Sequence, residues 1–133
     1  VPGSLIYLDS SVALRTLLDV PERERLRAWI DRTPHVLSSR LLRTEVIRVL
    51  RREGRSPAEA APLLDRVGLL EIGQETFTVA ESIERHVRTL GALHLASALL
   101  IGEPVTVATH DTAMAEVARH LGLAVIDPVV GDT

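Results

Sequence analysis

Three carboxylates stand out by position rather than by number. Asp9 ends the short run Leu5-Ile-Tyr-Leu, and Ser10-Ser11 and a helical pattern follow it at once. Asp111 likewise comes just after Val105-Thr-Val-Ala and opens a helix, while Glu45 lies within or beside an apolar helical stripe. An acid at the carboxyl end of a buried strand stands where open α/β sheets bind their ligands. Three such acids converging on one place repel each other unless they are protonated or share a cation. The chain has no Cys, so the donors on offer are hard oxygens, which suit Mg²⁺ or Mn²⁺. The competing use of Asp9 and Asp111 is helix N-capping, which Asp does well. For Glu45 it is an edge-of-stripe residue reaching solvent.

The elements that must position these acids alternate along the chain. Residues 5–8 read as a first strand, a short apolar run before a helix. Helices are expected over 10–18 and 22–32, the second carrying Leu26, Trp29 and Ile30 at i, i+3, i+4 spacing. Residues 35–39 read as a second strand. The clearest helix is 40–53, with Leu42, Val46, Val49 and Leu50 in one stripe and Gly54 as its stop. Ser56-Pro57-Ala58-Glu59 has the N-cap, first-turn proline and capping-box acid of a helix start. That helix should run to about Val67 with a bend at Pro62. A third strand is expected over 69–72 and a helix over 75–89. Residues 91–101 are apolar nearly all round, which marks a buried helix. Strands over 105–108 and 123–126 enclose a helix over 111–121. Such alternation predicts an α/β fold, a mainly parallel five-stranded sheet flanked by helices. Residues 1–133 read as one domain, with no repeat or linker. Val1-Pro2-Gly3-Ser4 lacks a Met start and reads in part as a cloning remnant.

Composition narrows the function. Hydrophobic residues make up 46% of the chain, against disorder. Aromatics are only 2%, so the core is aliphatic and a base-stacking surface is disfavoured. The net charge of −3 does not advertise nucleic-acid binding. All fifteen basic residues are Arg, so no lysine serves as Schiff base, P-loop residue or general base. No apolar run is long enough to span a bilayer and no signal-peptide pattern appears, so a cytoplasmic protein without a membrane partner is expected.

Four motifs in order, Leu5-Ile-Tyr-Leu-Asp9-Ser-Ser, Thr44-Glu45-Val46, Leu90-Gly-Ala-Leu-His-Leu-Ala96 and Val107-Ala-Thr-His-Asp111, resemble those of PIN domains. The nearest similarity is to the VapC-type toxins of bacterial toxin–antitoxin pairs, and it covers essentially the whole chain. The resemblance implies a PIN-like domain acting as a Mg²⁺- or Mn²⁺-dependent endoribonuclease. Its substrate would be RNA and a cognate antitoxin would neutralise it. It also implies a homodimer, with an antitoxin segment laid along an apolar groove near the site. The family's first, second and late acids map to Asp9, Glu45 and Asp111, as catalytic and metal-binding residues. Thr109 matches the hydroxyl residue two before the late acid.

One position departs from the pattern. The family usually has Asp where this chain has Gly91. Deliberate inactivation, selection against a toxic product and natural loss are all open. The expectation is a folded chain that is weakly active or inactive as a nuclease. Arg40, Arg43, Arg48, Arg51 and Arg52 are candidates to guide phosphates, against the plainer reading of a solvated helix face. His94, His110 and His120 lack zinc-helix spacing, and His94 reads as a packed helix residue. The rival functions are a non-catalytic module that binds antitoxin or RNA without cleavage, and a metal-dependent phosphatase. The phosphatase is weakened by Ser11 where a second Asp is wanted, and by the missing lysine.

Overall fold

The computed structural model describes residues 5–131. The reading of residues 1–4 as a cloning remnant falls outside them. Five strands form one parallel sheet: β1 (Leu5–Leu8), β2 (Val36–Ser39), β3 (Gly68–Leu70), β4 (Val105–Ala108) and β5 (Ala124–Ile126). Their order is β3-β2-β1-β4-β5. The chain therefore builds outward from β1 in one direction, then returns to its other side with β4. The crevice between the carboxyl ends of β1 and β4 is the topological switch point, where open α/β sheets bind ligands. Leu8 pairs with Ala108 at that end, so Asp9 and Thr109 leave the sheet side by side.

The helices are α1 (Ser10–Ala13), α2 (Arg23–Asp31), α3 (Arg40–Arg52), α4 (Ala61–Leu64), α5 (Gln74–Glu81), α6 (Thr89–Leu99) and α7 (Thr112–His120). None of the described helices is long and apolar enough to cross a membrane. The two sheet faces divide the core with the period of two that a strand imposes. Ile6 and Leu8 join Leu26, Ile30, Leu42, Val46 and Leu50 of α2 and α3. Tyr7 joins Leu95, Ala98, Met114 and Val117 of α6 and α7 on the other face. Leu42, Val46 and Leu50 are fully buried, each contributing roughly 1.5–3 kcal/mol. Gly54 follows α3 with φ of 71°, a left-handed conformation that glycine adopts without steric cost.

Several boundaries differ from the sequence reading. The segment expected to be one helix over 10–18 is α1 followed by a single 3-10 turn, Leu14–Thr16. The helix expected from Pro57 starts as a 3-10 turn, Pro57–Ala60, and resets as α4 with Pro62 in its first turn. There the missing N–H costs nothing, so the expected bend becomes a change of helix type. Ser56 caps the Ala58 amide, but Glu59 binds Arg55 instead of closing a capping box. The helix expected over 75–89 stops at Glu81, where the Ser82 hydroxyl takes the Val79 carbonyl. The break lets α5 fold back on α6, and Ile83 and Val87 still pack against the second core.

Candidate active site

Asp9 is only 5% exposed although it is a carboxylate. Its Oδ2 accepts from Ser11 Oγ at 2.7 Å, from Thr109 Oγ1 at 2.8 Å and from the Ser11 amide at 3.4 Å. The last contact makes Asp9 the N-cap of α1. Oδ1 takes none of these bonds. The two hydroxyls are themselves fixed. Ser11 Oγ accepts the His110 amide at 2.8 Å, and Thr109 Oγ1 accepts the Asp111 amide at 3.1 Å. The ends of β1 and β4 are thus stitched together around one buried acid whose partners here are neutral dipoles. Burying a carboxylate is costly without such donors, and neutral donors leave its negative charge in place.

Asp111 caps α7 through Oδ1 and the Met114 amide at 3.1 Å, and it is exposed. The capping use is thus real for both aspartates. It differs in burial: Asp111 sits at the rim and Asp9 on the floor.

Glu45 stands on α3 with 17% of its side chain exposed. Its Oε2 accepts from Ser10 Oγ at 3.2 Å, which brings it beside Asp9. Its Oε1 lies 2.6 Å from Nε2 of His94, a residue of α6 that is 1% exposed. Nδ1 of His94 lies 2.7 Å from the hydroxyl of Tyr7, and the two rings meet edge-on, 5.7 Å between centroids. Burial pushes the Tyr7 phenol up to about 12, with the hydroxyls of Ser39 and Ser38 pulling it partly back. Tyr7 therefore stays protonated near neutral pH.

The sheet end gathers Asp9, Glu45 and Asp111 through Ser10, Ser11 and Thr109. Even so, among the described residues no three of the acids and histidines stand close enough to hold one cation. Gly91 lies inside the first turn of α6, not in the turn before it. A Cβ there would meet Val87 Cγ2 at 2.9 Å and Met114 Sδ at 3.9 Å, close to the turn that Asp111 caps. His94 is packed within α6, as the sequence suggests, and it also pairs with Glu45, a contact that the sequence reading did not give. Its signal was present: a polar ring on a helix apolar all round needs a buried partner, and Glu45 on the α3 stripe needed one too. His110 pairs with Asp127 at 2.9 Å, beside the same sheet end.

A groove of about 620 Å³ opens beside Glu45, with Leu14, Leu41, Val49 and Leu90 as apolar walls and Arg48 and Arg52 at its edge. Arg40, Arg43, Arg48, Arg51 and Arg52 are all exposed along α3.

The PIN-domain family model matches residues 6–120, which include Asp9, Glu45, Gly91 and Asp111. The chain belongs to the PIN-domain family. Its curated relatives place it among VapC-like PIN domains. It is 37% identical to Ribonuclease VapC46 of Mycobacterium tuberculosis over 127 residues, 92% of this chain and 97% of that one. It is 30% identical to Ribonuclease VapC47 of the same organism, over 93% of this chain and 97% of that one. The PIN fold is also shared with FitAcB from Neisseria gonorrhoeae, at a TM-score of 0.73 and 20% identity, covering 93% of this chain and 98% of that one. In this PIN domain Asp9 and Asp111 lie at the carboxyl ends of β1 and β4, beside the switch point, and Glu45 on α3 is bonded to Ser10, the residue after Asp9.

Proposed function

We infer that this PIN domain is an endoribonuclease toxin that hydrolyses RNA phosphodiester bonds with a divalent metal ion and is held in check by an antitoxin. The observation that carries the reading is Asp9, a buried carboxylate at the switch point held only by neutral donors among the described residues. Its VapC relatives carry the name ribonuclease.

The donor set fits Mg²⁺ or Mn²⁺. All the nearby anionic donors are carboxylate oxygens, and Mg²⁺ keeps several waters and commonly needs only one or two protein carboxylates. Asp9 and Glu45 would hold the ion, with Asp111 at the rim. When bound, it supplies Lewis-acid stabilisation and a more acidic water. The chain's own residues do the rest. Ser11 and Thr109 fix the Asp9 carboxylate, and Ser10 draws Glu45 toward it. Arg48 and Arg52 offer phosphates a cationic flank beside an acidic site. The apolar groove between them and Leu90 suits a segment of the antitoxin, and a homodimer accords with the resemblance.

Gly91 favours a second reading, a PIN domain that binds antitoxin or RNA without cutting. Incubating RNA with this chain, with its Gly91→Asp variant and with Asp9→Asn separates the two. Cleavage that needs Mg²⁺ or Mn²⁺ and vanishes with chelator or Asp9→Asn supports the nuclease. Cleavage indifferent to both sinks the metal reading. RNA binding with no cleavage by this chain or by Gly91→Asp supports the binding module.

A further inference from the structure

We propose that His94 is a positioning residue for Glu45, an imidazole clamp on Oε1 that presents Oε2 to the site, with Tyr7 choosing the tautomer. The inference rests on the reading of Glu45 as a metal-directed acid. It concerns how that acid is held.

His94 is buried on α6 with both ring nitrogens engaged, one by Glu45 and one by Tyr7. A carboxylate only accepts, so the 2.6 Å contact requires a proton on Nε2. With its proton on Nε2, the neutral ring offers Nδ1 as an acceptor, and the Tyr7 hydroxyl 2.7 Å away can donate to it, so the Nε2–H imidazole is the form that satisfies every group. The chain of contacts runs from β1, through α6, to α3. It ties together elements that pack on opposite faces of the sheet.

The effect on Glu45 is directional. Oε1 is taken by a short bond to a ring that is 1% exposed and held at both nitrogens. Among the described residues Oε2 has only the 3.2 Å bond from Ser10. The free rotation of a glutamate is thereby removed before any ligand arrives. Hydrogen-bond partners of ligating groups set their orientation and basicity, and their loss typically costs tenfold to a hundredfold in metal affinity.

The test has two arms. In the first, ring ¹⁵N shifts of His94 are recorded for the unaltered, metal-free chain and for Glu45→Gln. The expected result is a protonated Nε2, a bare Nδ1, and an Nε2–H signal that moves in Glu45→Gln. A protonated Nδ1 with a bare Nε2, or signals blind to Glu45→Gln, overturns the proposal. In the second arm, Mn²⁺ binding is followed by electron paramagnetic resonance in His94→Ala and His94→Gln. His94→Ala should bind about tenfold to a hundredfold more weakly, and His94→Gln, which returns an N–H donor at similar reach, should recover most of the loss. His94→Ala binding as tightly as the unaltered chain overturns the clamp, as does His94→Gln failing to recover while still folded. If the unaltered chain and Glu45→Ala take up Mn²⁺ equally, the metal reading of the site has failed. The first arm then still decides the clamp.

Discussion

Thr109 Oγ1 donates to Asp9 Oδ2 at 2.8 Å across the gap between β1 and β4. The same oxygen accepts the Asp111 amide at 3.1 Å, so one hydroxyl serves two of the three acids. Thr109 is 1% exposed, and water cannot take its place. Thr109→Val keeps the shape but leaves a buried carboxylate short of a donor and an amide short of an acceptor. Unfolding by urea should show a loss of roughly 1–3 kcal/mol, and Thr109→Ser should recover most of it. A Thr109→Val midpoint equal to that of the unaltered chain would mean that this bond does not hold the site together.

Tyr7 supplies an alkaline signature. The unfolded phenol titrates near 10, and burial pushes the folded one up to about 12. The folded state therefore keeps a proton that the unfolded state gives up. Stability from this source is complete below pH 10 and is lost as pH rises from there toward 12. The slope is at most about 1.4 kcal/mol per pH unit. The chain has no Lys, no Cys and a single Tyr, so no other side-chain type with an ordinary pKa in that window contributes. Tyrosinate absorbance should report Tyr7 alone, with a midpoint well above that of free tyrosine. Chemical melts between pH 10 and 12 should weaken in the unaltered chain and stay flat in Tyr7→Phe. A midpoint near 10 would show that the phenol is not buried as described.

Much of this was legible in the residues, for physical reasons. Short aliphatic runs such as Val105–Ala108 have one plausible use in an alternating chain, and β4 has those bounds. The stripe of α3 predicts both its buried face and Glu45 at its margin. Two features resisted. Helix lengths after Glu81 and around Pro57 depend on how α5 folds back on α6 and on where a proline finds a first turn. Neither is visible in local periodicity, which still reads Ile83 and Val87 as core. The pairing of His94 with Glu45 joins residues 49 apart. Each polar group looked explicable alone, and only the sheet topology brings α3 and α6 to the same end.

The arginines on α3 carry a salt prediction. Arg48 and Arg52 border the groove beside Glu45, whereas Arg43 is exposed on the same helix without bordering it. If the groove takes an RNA strand, replacing either bordering arginine by Ala should weaken binding and reduce the slope of log K against log salt by about 0.7. Arg43→Ala serves as the comparison and should move the slope less. Fluorescence anisotropy of a labelled RNA over a salt series reads both. Equal slopes in all three variants would place the RNA elsewhere on the molecule.

Position 91 allows charge and bulk to be separated. Any side chain there brings a Cβ within 2.9 Å of Val87 Cγ2, so Val87 must give way. Val87 lies between α5 and α6, outside regular structure, and a shift there costs less than in a helix. Overpacking typically costs about 1–3 kcal/mol, and a helix gains up to about 1 kcal/mol when Gly becomes Ala. Gly91→Ala should therefore range from neutral to a loss of about 2 kcal/mol. Gly91→Asp adds to the same bulk a charge in the first turn of α6. The helix dipole favours it there by about 0.3–1 kcal/mol, but it joins Asp9, Glu45 and Asp111. Without metal, Gly91→Asp should melt below Gly91→Ala. With Mn²⁺ the order should reverse, and calorimetric titration should show tighter binding only for the Asp form. RNA cleavage should rise with that affinity. Equal responses of the Ala and Asp forms to Mn²⁺ would show that position 91 does not face the acids, and the weakened activity expected from Gly91 would lose its basis.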